Sequence, residues 1–200
     1  EGTAGYPRAI RLDHDGTAAE TMLATFAQGG HGGPTTLPIY RSTDGGLNWN
    51  RISQIVSDTP GWDLEAPTLF EVPRTAPGLN RGDVLAAGTA WDVGDYSAQK
   101  IEVFRSTDGG LPSNSWGHGI WEPTFLLADD DTLACFISDE RPAGSPTNDQ
   151  RIGHYTSTDG GRTWSGTLTE DVAFPDDPLA RPGMQTFAEL PDGRYAMSYE

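Results

Sequence analysis

YTSTDGGRTW, residues 155–164, is one of three versions of a single turn in this chain: YRSTDGGLNW occupies 40–49 and FRSTDGG occupies 104–110. Each joins an aromatic residue and a Ser to an Asp two positions on, followed by two glycines. Repetition of a turn is a statement about architecture. The Asp carboxylate can accept backbone N–H bonds across the turn, the glycines supply positive φ, and the closing Trp can pack between neighbouring sheets. Asp44, Asp108 and Asp159 are therefore assigned a structural role as latches of a hairpin, the arrangement known as an Asp box.

A second motif alternates with the first: a Pro, an apolar strand, an Asp/Gly turn and another apolar strand. Its anchoring prolines are Pro7, Pro67, Pro123 and Pro182, spaced 60, 56 and 59 residues apart. A period near 58 that holds two hairpins is one four-stranded propeller blade. The fold expected is all-β, a β-propeller of four-stranded antiparallel blades, with residues 1–200 forming part of a single propeller domain. Closure takes about 4 to 8 blades, and the chain supplies three periods and a fourth inner hairpin, so it is expected to be a fragment of a larger propeller. From the second box glycine to the next anchoring Pro the first and third intervals are 21 residues, but the middle one, Gly110 to Pro123, is only 13. That deficit predicts residues absent between Gly110 and Leu111, no room for the strand after the second box, and a Trp116 that is not that box's Trp.

Composition agrees with this. Gly and Pro number 25 and 15, while six Trp, six Tyr and seven Phe supply core material. The net charge of −16 repels phosphate backbones and anionic lipid, so neither nucleic acid nor a membrane surface is an expected partner. No apolar run approaches the roughly 20 residues of a spanning helix. The chain starts at Glu1 without Met or signal peptide, so a leader, if any, is expected to have been removed or left out. Cys135 is the only cysteine; it reads as a small buried hydrophobe, and neither a disulfide nor a Cys-based zinc site is expected. DDD at 129–131 reads as a solvated acidic turn, since Ca²⁺ would want about 6–8 oxygen ligands. No metal and no cofactor are expected. Among the histidines only His118 is placed near a cleft.

Propeller topology sorts the remaining residues. The Asp turns lie on one face, and the opposite face collects the residues flanking the prolines and the ends of the second strands. That face gathers Arg8, Arg11, Glu65, Trp91, Asp92, Trp121, Glu122, Asp139, Glu140, Arg141, Arg181 and Glu200. Carboxylates and arginines beside Trp suit a carbohydrate cleft, because aromatic faces stack on sugar rings. Glycoside hydrolysis asks for two carboxyl groups, about 5–5.5 Å apart for retention or about 6.5–9.5 Å for inversion. Glu122 and Glu200 are the best pair. Glu122 stands between Trp121 and Pro123, an apolar flank expected to favour its protonated form, and Glu200 follows Tyr199 at a strand end. The competing reading makes each a rim carboxylate bonded to a neighbouring Arg.

GIWEPTFLLADDDTLACFISDERP (119–142), RPGMQTFAELPDGRYAMSYE (181–200) and YPRAIRL (6–12), interleaved with Asp boxes, resemble the family 93 glycoside hydrolases. The resemblance implies a six-bladed sialidase-like propeller and a secreted enzyme that cleaves α-1,5-linked arabinan from the chain end with retention, releasing arabinobiose. It places the acid/base on Glu122 and the nucleophile on Glu200. Arg8, Asp139, Arg141 and Arg181 would orient them or bind sugar hydroxyls, and Trp121 and Tyr199 are the aromatic substrate contacts. A poly- or oligosaccharide is the expected partner and a monomer the expected state.

Two other readings stand beside it. A sialidase needs three arginines on the substrate carboxylate and usually sets its first Arg in an aromatic-Arg-Ile-Pro order, whereas this chain has Tyr6-Pro7-Arg8. A non-catalytic Asp-box propeller that binds glycans would keep the boxes and dispense with the glutamate pair.

Overall fold

The computed structural model describes residues 2–13, 20–30, 32–105, 116–117, 120–141, 150–177 and 179–200. Three four-stranded antiparallel sheets and one hairpin follow in chain order. The first sheet is β1 (Thr3–Arg11), β2 (Met22–Gly29), β3 (Leu37–Ser42) and β4 (Asn50–Ile55); the second is β5 (Asp63–Glu71), β6 (Val84–Asp92), β7 (Asp95–Arg105) and β8 (Trp116–Gly117). The third is β9 (Ile120–Leu127), β10 (Leu133–Asp139), β11 (Arg151–Ser157) and β12 (Thr169–Val172), and the hairpin is β13 (Thr186–Glu189) with β14 (Tyr195–Ser198). Each strand pairs with the next in sequence. Stretches of β1, β5, β9 and β13 line one cavity of about 590 Å³, which makes them the inner strands of four successive blades around an axis.

The blades stack through their apolar faces. Leu37 and Ala27 of the first blade meet Leu64 and Ala90 of the second. Leu85, Ala87 and Val103 of the second meet Ile120, Phe125, Leu133 and Ile137 of the third in one cluster, with Cys135 inside it. Full burial of one such Leu or Ile contributes about 1.5–3 kcal/mol, and Leu37, Leu64, Leu85 and Ile152 are all at 0% exposure. The alternation that the strands need is plain in β2, where buried and half-buried residues alternate over all eight positions.

The Asp turns are hydrogen-bonded latches. Asp44 Oδ1 accepts from Ser42 Oγ and from the Asn48 N–H, while the Ser42 hydroxyl accepts the Gly46 N–H. Ser157, Asp159, Gly161 and Thr163 repeat this arrangement. Gly45, Gly46, Gly160 and Gly161 all have positive φ, the conformation glycine adopts without penalty. Trp164 lies 6.4 Å from Phe125, ring centre to ring centre, at the edge of the core between blades two and three. Asp108 and the Gly110–Leu111 link lie outside the described residues. The outer strand of the second blade is present, contrary to expectation: β8 pairs Gln99 with Trp116 and Ala98 with Gly117. Among the described residues it covers Trp116 and Gly117.

The acidic turn at 129–131 is also tied down. Arg74 of the second blade pairs with Asp131 and donates to the Leu127 and Ala128 carbonyls.

Candidate active site

Every inner strand is broken at one position by a residue with positive φ: Tyr6 (51°), Ala66 (46°), Glu122 (59°) and Met184 (54°). Pairing lapses there and resumes two residues on, at Arg8, Thr68, Thr124 and Thr186. In three blades the next residue is Pro, which has no N–H for the ladder and is found in sheets at edges and bulges. A bulge turns its side chain away from the pleat; positive φ in residues other than glycine costs about 1–3 kcal/mol and concentrates at functional sites. In the fourth blade the structural counterpart of the prolines is Gln185, and Pro182 precedes the bulge. The proline spacing thus misplaced the fourth repeat by three residues.

Glu122 occupies the bulge of the third blade, and its surroundings are polar. Its Oε2 accepts from the Ser138 hydroxyl at 2.8 Å and from the Met184 N–H at 2.6 Å. Its carbonyl accepts from Gln185 Nε2 at 2.8 Å, and Ser138 Oγ lies 3.2 Å from Gln185 Oε1. Ser138 and Gln185 are 0% and 3% exposed. The apolar flank expected from Trp121 and Pro123 does not describe this oxygen, because the bulge swings it towards the fourth blade.

Glu200 arrives by a different route. Gly183 and Glu200 exchange both backbone bonds, with N···O distances of 3.2 and 3.1 Å. One residue further, Met184 holds Glu122. Gly183–Met184 therefore bridges the two glutamates, one by its ladder and one by its amide. A Cβ on Gly183 would stand 2.5 Å from Gln150 Nε2, 3.0 Å from Glu122 Oε2 and 3.1 Å from Ser138 Oγ, so any larger residue would have to displace the polar ends of these side chains. The carbonyl of Pro182 accepts from Gln150 Nε2 at 2.9 Å.

The other expected site residues divide into two groups. Asp139 is fully buried. Its Oδ1 lies 2.5 Å from Arg141 Nε and its Oδ2 lies 2.9 Å from Arg151 Nη2, while Arg141 also donates to the Tyr155 hydroxyl at 2.9 Å. Asp139 thus orients guanidinium groups and is closed to a ligand. Arg181 pairs with Glu140, which accepts from Trp121 Nε1 at 3.3 Å; this ties the third blade's mouth to the fourth. Tyr199 is 43% exposed. Arg8 lines the axial cavity with Met184 and Gln185, and among the described residues it faces no carboxylate partner. Arg11, the last residue of β1, pairs with Asp13 and is absent from the lining of the cavity that holds Arg8. His118 lies outside the described residues.

Several residues that position this site carry no motif. Ile120 opens β9 just ahead of Trp121 and Glu122, and both its backbone groups are held by the second blade. Its N–H donates to Gln99 Oε1 at 3.2 Å and its carbonyl accepts from the Thr89 hydroxyl at 3.0 Å. Ser138, Gln185, Thr89 and Gln99 are polar residues buried at 0–3% exposure; only that unusual burial, invisible without the fold, marks them.

This architecture is shared with solved enzymes. The chain is similar to the family 93 α-L-arabinofuranosidase of Fusarium graminearum, whose structure contains arabinobiose, at 29% identity and a TM-score of 0.79 over 98% of this chain and 56% of that one. It is similar to an α-L-arabinanase of Penicillium chrysogenum, also solved with arabinobiose, at 28% identity and a TM-score of 0.82 over 98% of this chain and 57% of that one. An endo-arabinase of Bacteroides thetaiotaomicron, at 13% identity and a TM-score of 0.65 over 96% of this chain and 68% of that one, shares the fold alone. No family model and no curated protein sequence matches the chain. The class of these neighbours is that of the propeller glycoside hydrolases. Within it, the Fusarium and Penicillium neighbours support assignment to family 93, and the chain spans little more than half the length of those two enzymes.

Proposed function

We propose that this chain carries the catalytic pair of a secreted, retaining exo-arabinanase acting on α-1,5-linked arabinan, with Glu122 as acid/base and Glu200 as nucleophile. The observation that carries the reading is the Gly183–Met184 bridge, which binds the Glu122 carboxylate on one side and the Glu200 backbone on the other.

In the first step the Glu200 carboxylate attacks the anomeric carbon, the glycosidic C–O bond breaks, and Glu122 gives its proton to the departing oxygen. In the second, Glu122 takes a proton from water, the water oxygen replaces Glu200 at the same carbon, and the carboxylate is released with net retention. Ser138 and Met184 both donate to Glu122 Oε2, so the transferable proton sits on Oε1. Trp121, braced by Glu140, offers an aromatic wall to the sugar.

The arginines favour a neutral sugar over an acidic one. Arg141 is engaged by Asp139 and Arg181 by Glu140, which leaves Arg8 as the cation of that trio with no carboxylate partner among the described residues. A sialidase would need three arginines committed to the substrate.

The test is proton NMR of the first product formed from linear arabinan by the full-length protein. Release of arabinobiose with retained configuration supports the reading. Inverted product, or turnover of a sialyl substrate in place of arabinan, overturns it, as does a protein that binds arabinan without cleaving it.

A further inference from the structure

The second blade contributes a carboxylate to the same mouth that the assigned machinery does not use. Glu65 immediately precedes the bulge residue Ala66 and is half-buried. Its direction follows from strand alternation. Leu64 packs on Leu37 and Ala90, against the first blade, so Glu65 projects from the opposite face of the sheet. Its cross-strand partner is Thr89, and directly opposed residues share a face with Cβ atoms about 4.5–5.5 Å apart. Thr89 donates its hydroxyl to the carbonyl of Ile120. Glu65 is thereby set against the start of β9, beside Trp121 and Glu122.

Among the described residues, Glu65 has no hydrogen-bond donor and no cation. Burial, and secondarily the charge of Asp63, push its carboxyl pKa above the usual value. A partly buried carboxylate without partners weakens a fold, yet this one stands on the mouth, where a ligand can supply the missing donors. A sugar offers hydroxyl groups, and an ionised carboxylate accepts several at once.

We propose that Glu65 is a substrate-binding residue that accepts hydroxyls of the arabinose unit lying beside Trp121. The proposal rests on the arabinan reading above and adds a carboxylate from the second blade to a mouth whose other assigned groups come from the first, third and fourth. Ala66, the smallest of the four bulge residues, leaves space over that wall.

The experiment compares wild type, Glu65→Gln and Glu65→Ala of the full-length protein on linear arabinan, with Tm measured on each. Charge-assisted hydrogen bonds of this kind translate into a rise in KM of about ten- to a hundred-fold. The expectation is that rise, larger for Ala, with kcat within about threefold of wild type. Tm should stay level or increase in Glu65→Gln, because the substitution removes an uncompensated charge. Unchanged KM in both variants overturns the proposal, as does a fall in Tm shared by both, which would mark Glu65 as structural. If wild type itself does not cleave arabinan, the parent reading fails; if wild type cleaves and Glu65→Gln matches it, only the present inference fails.

Discussion

The backbone N–H of Met184 donates to Glu122 Oε2 at 2.6 Å, linking residues 62 apart in sequence. With Ser138 it fixes one oxygen of the proposed acid/base. Removing either support therefore acts on chemistry before it acts on binding.

Ser138→Ala takes one of the two donors from Oε2. The expected result is a kcat lower by about ten- to a hundred-fold with little change in KM, since small displacements of a reacting group carry penalties of that size. Steady-state kinetics on arabinan, with Tm as a control, would reveal it.

Gly183→Ala should be more severe. The new methyl would press on Gln150, Ser138 and Glu122 at 2.5–3.1 Å, and overpacking costs about 1–3 kcal/mol of stability. Both a lowered Tm and a kcat reduced by about a hundred-fold or more are expected; wild-type kcat would refute the bridging role.

Asp139→Asn removes the buried counter-charge shared by two half-buried guanidinium groups, of which Arg151 keeps only the exposed Glu170. Breaking one partner of a buried ion cluster costs about 3–5 kcal/mol. Urea denaturation should show the midpoint falling at constant slope.

The Asp turns make a pH-dependent contribution. Bonds from the Asn48 side chain and N–H, and from Ser42, hold Asp44 at about 2; the Thr163 N–H and hydroxyl do the same for Asp159. Both values lie below the ordinary 3.8. A depressed carboxylate pKa stabilises fully above the unfolded value and is lost as pH falls through the folded one. The Tm gap between wild type and Asp44→Asn should thus be constant at neutral pH and shrink between about pH 4 and 2.

Cys135 provides an independent check of the core. Burial pushes its thiol up to about 12, so a thiol reagent at pH 8 should leave the folded protein unlabelled and modify one thiol per chain in denaturant.

The repeats were enough to read the blades, because a turn that must latch every outer hairpin leaves the same letters each time. The position of Glu122 was legible for a related reason: the Trp-Glu-Pro stretch sits where the inner strand bends. The fourth repeat was harder, since the bulge there is made by Met184 before Gln185 and the visible proline is only nearby. Thr89, Gln99 and Ser138 were not legible at all. Each acts on a residue at least 16 positions away, Thr89 and Gln99 across a blade boundary, and sequence periodicity reports which face a residue takes without naming what meets it.

The four matching kinks separate geometry from chemistry. Tyr, Ala, Glu and Met occupy them, so the bent backbone is a property of the strand and tolerates very different side chains. Such positions work as keyed mounts around a common rim. A carboxylate, an aromatic or an imidazole installed at Ala66 would meet a chain already bent to present it, and the scaffold would need no relearning. A catalyst built this way can exchange its repertoire one letter at a time.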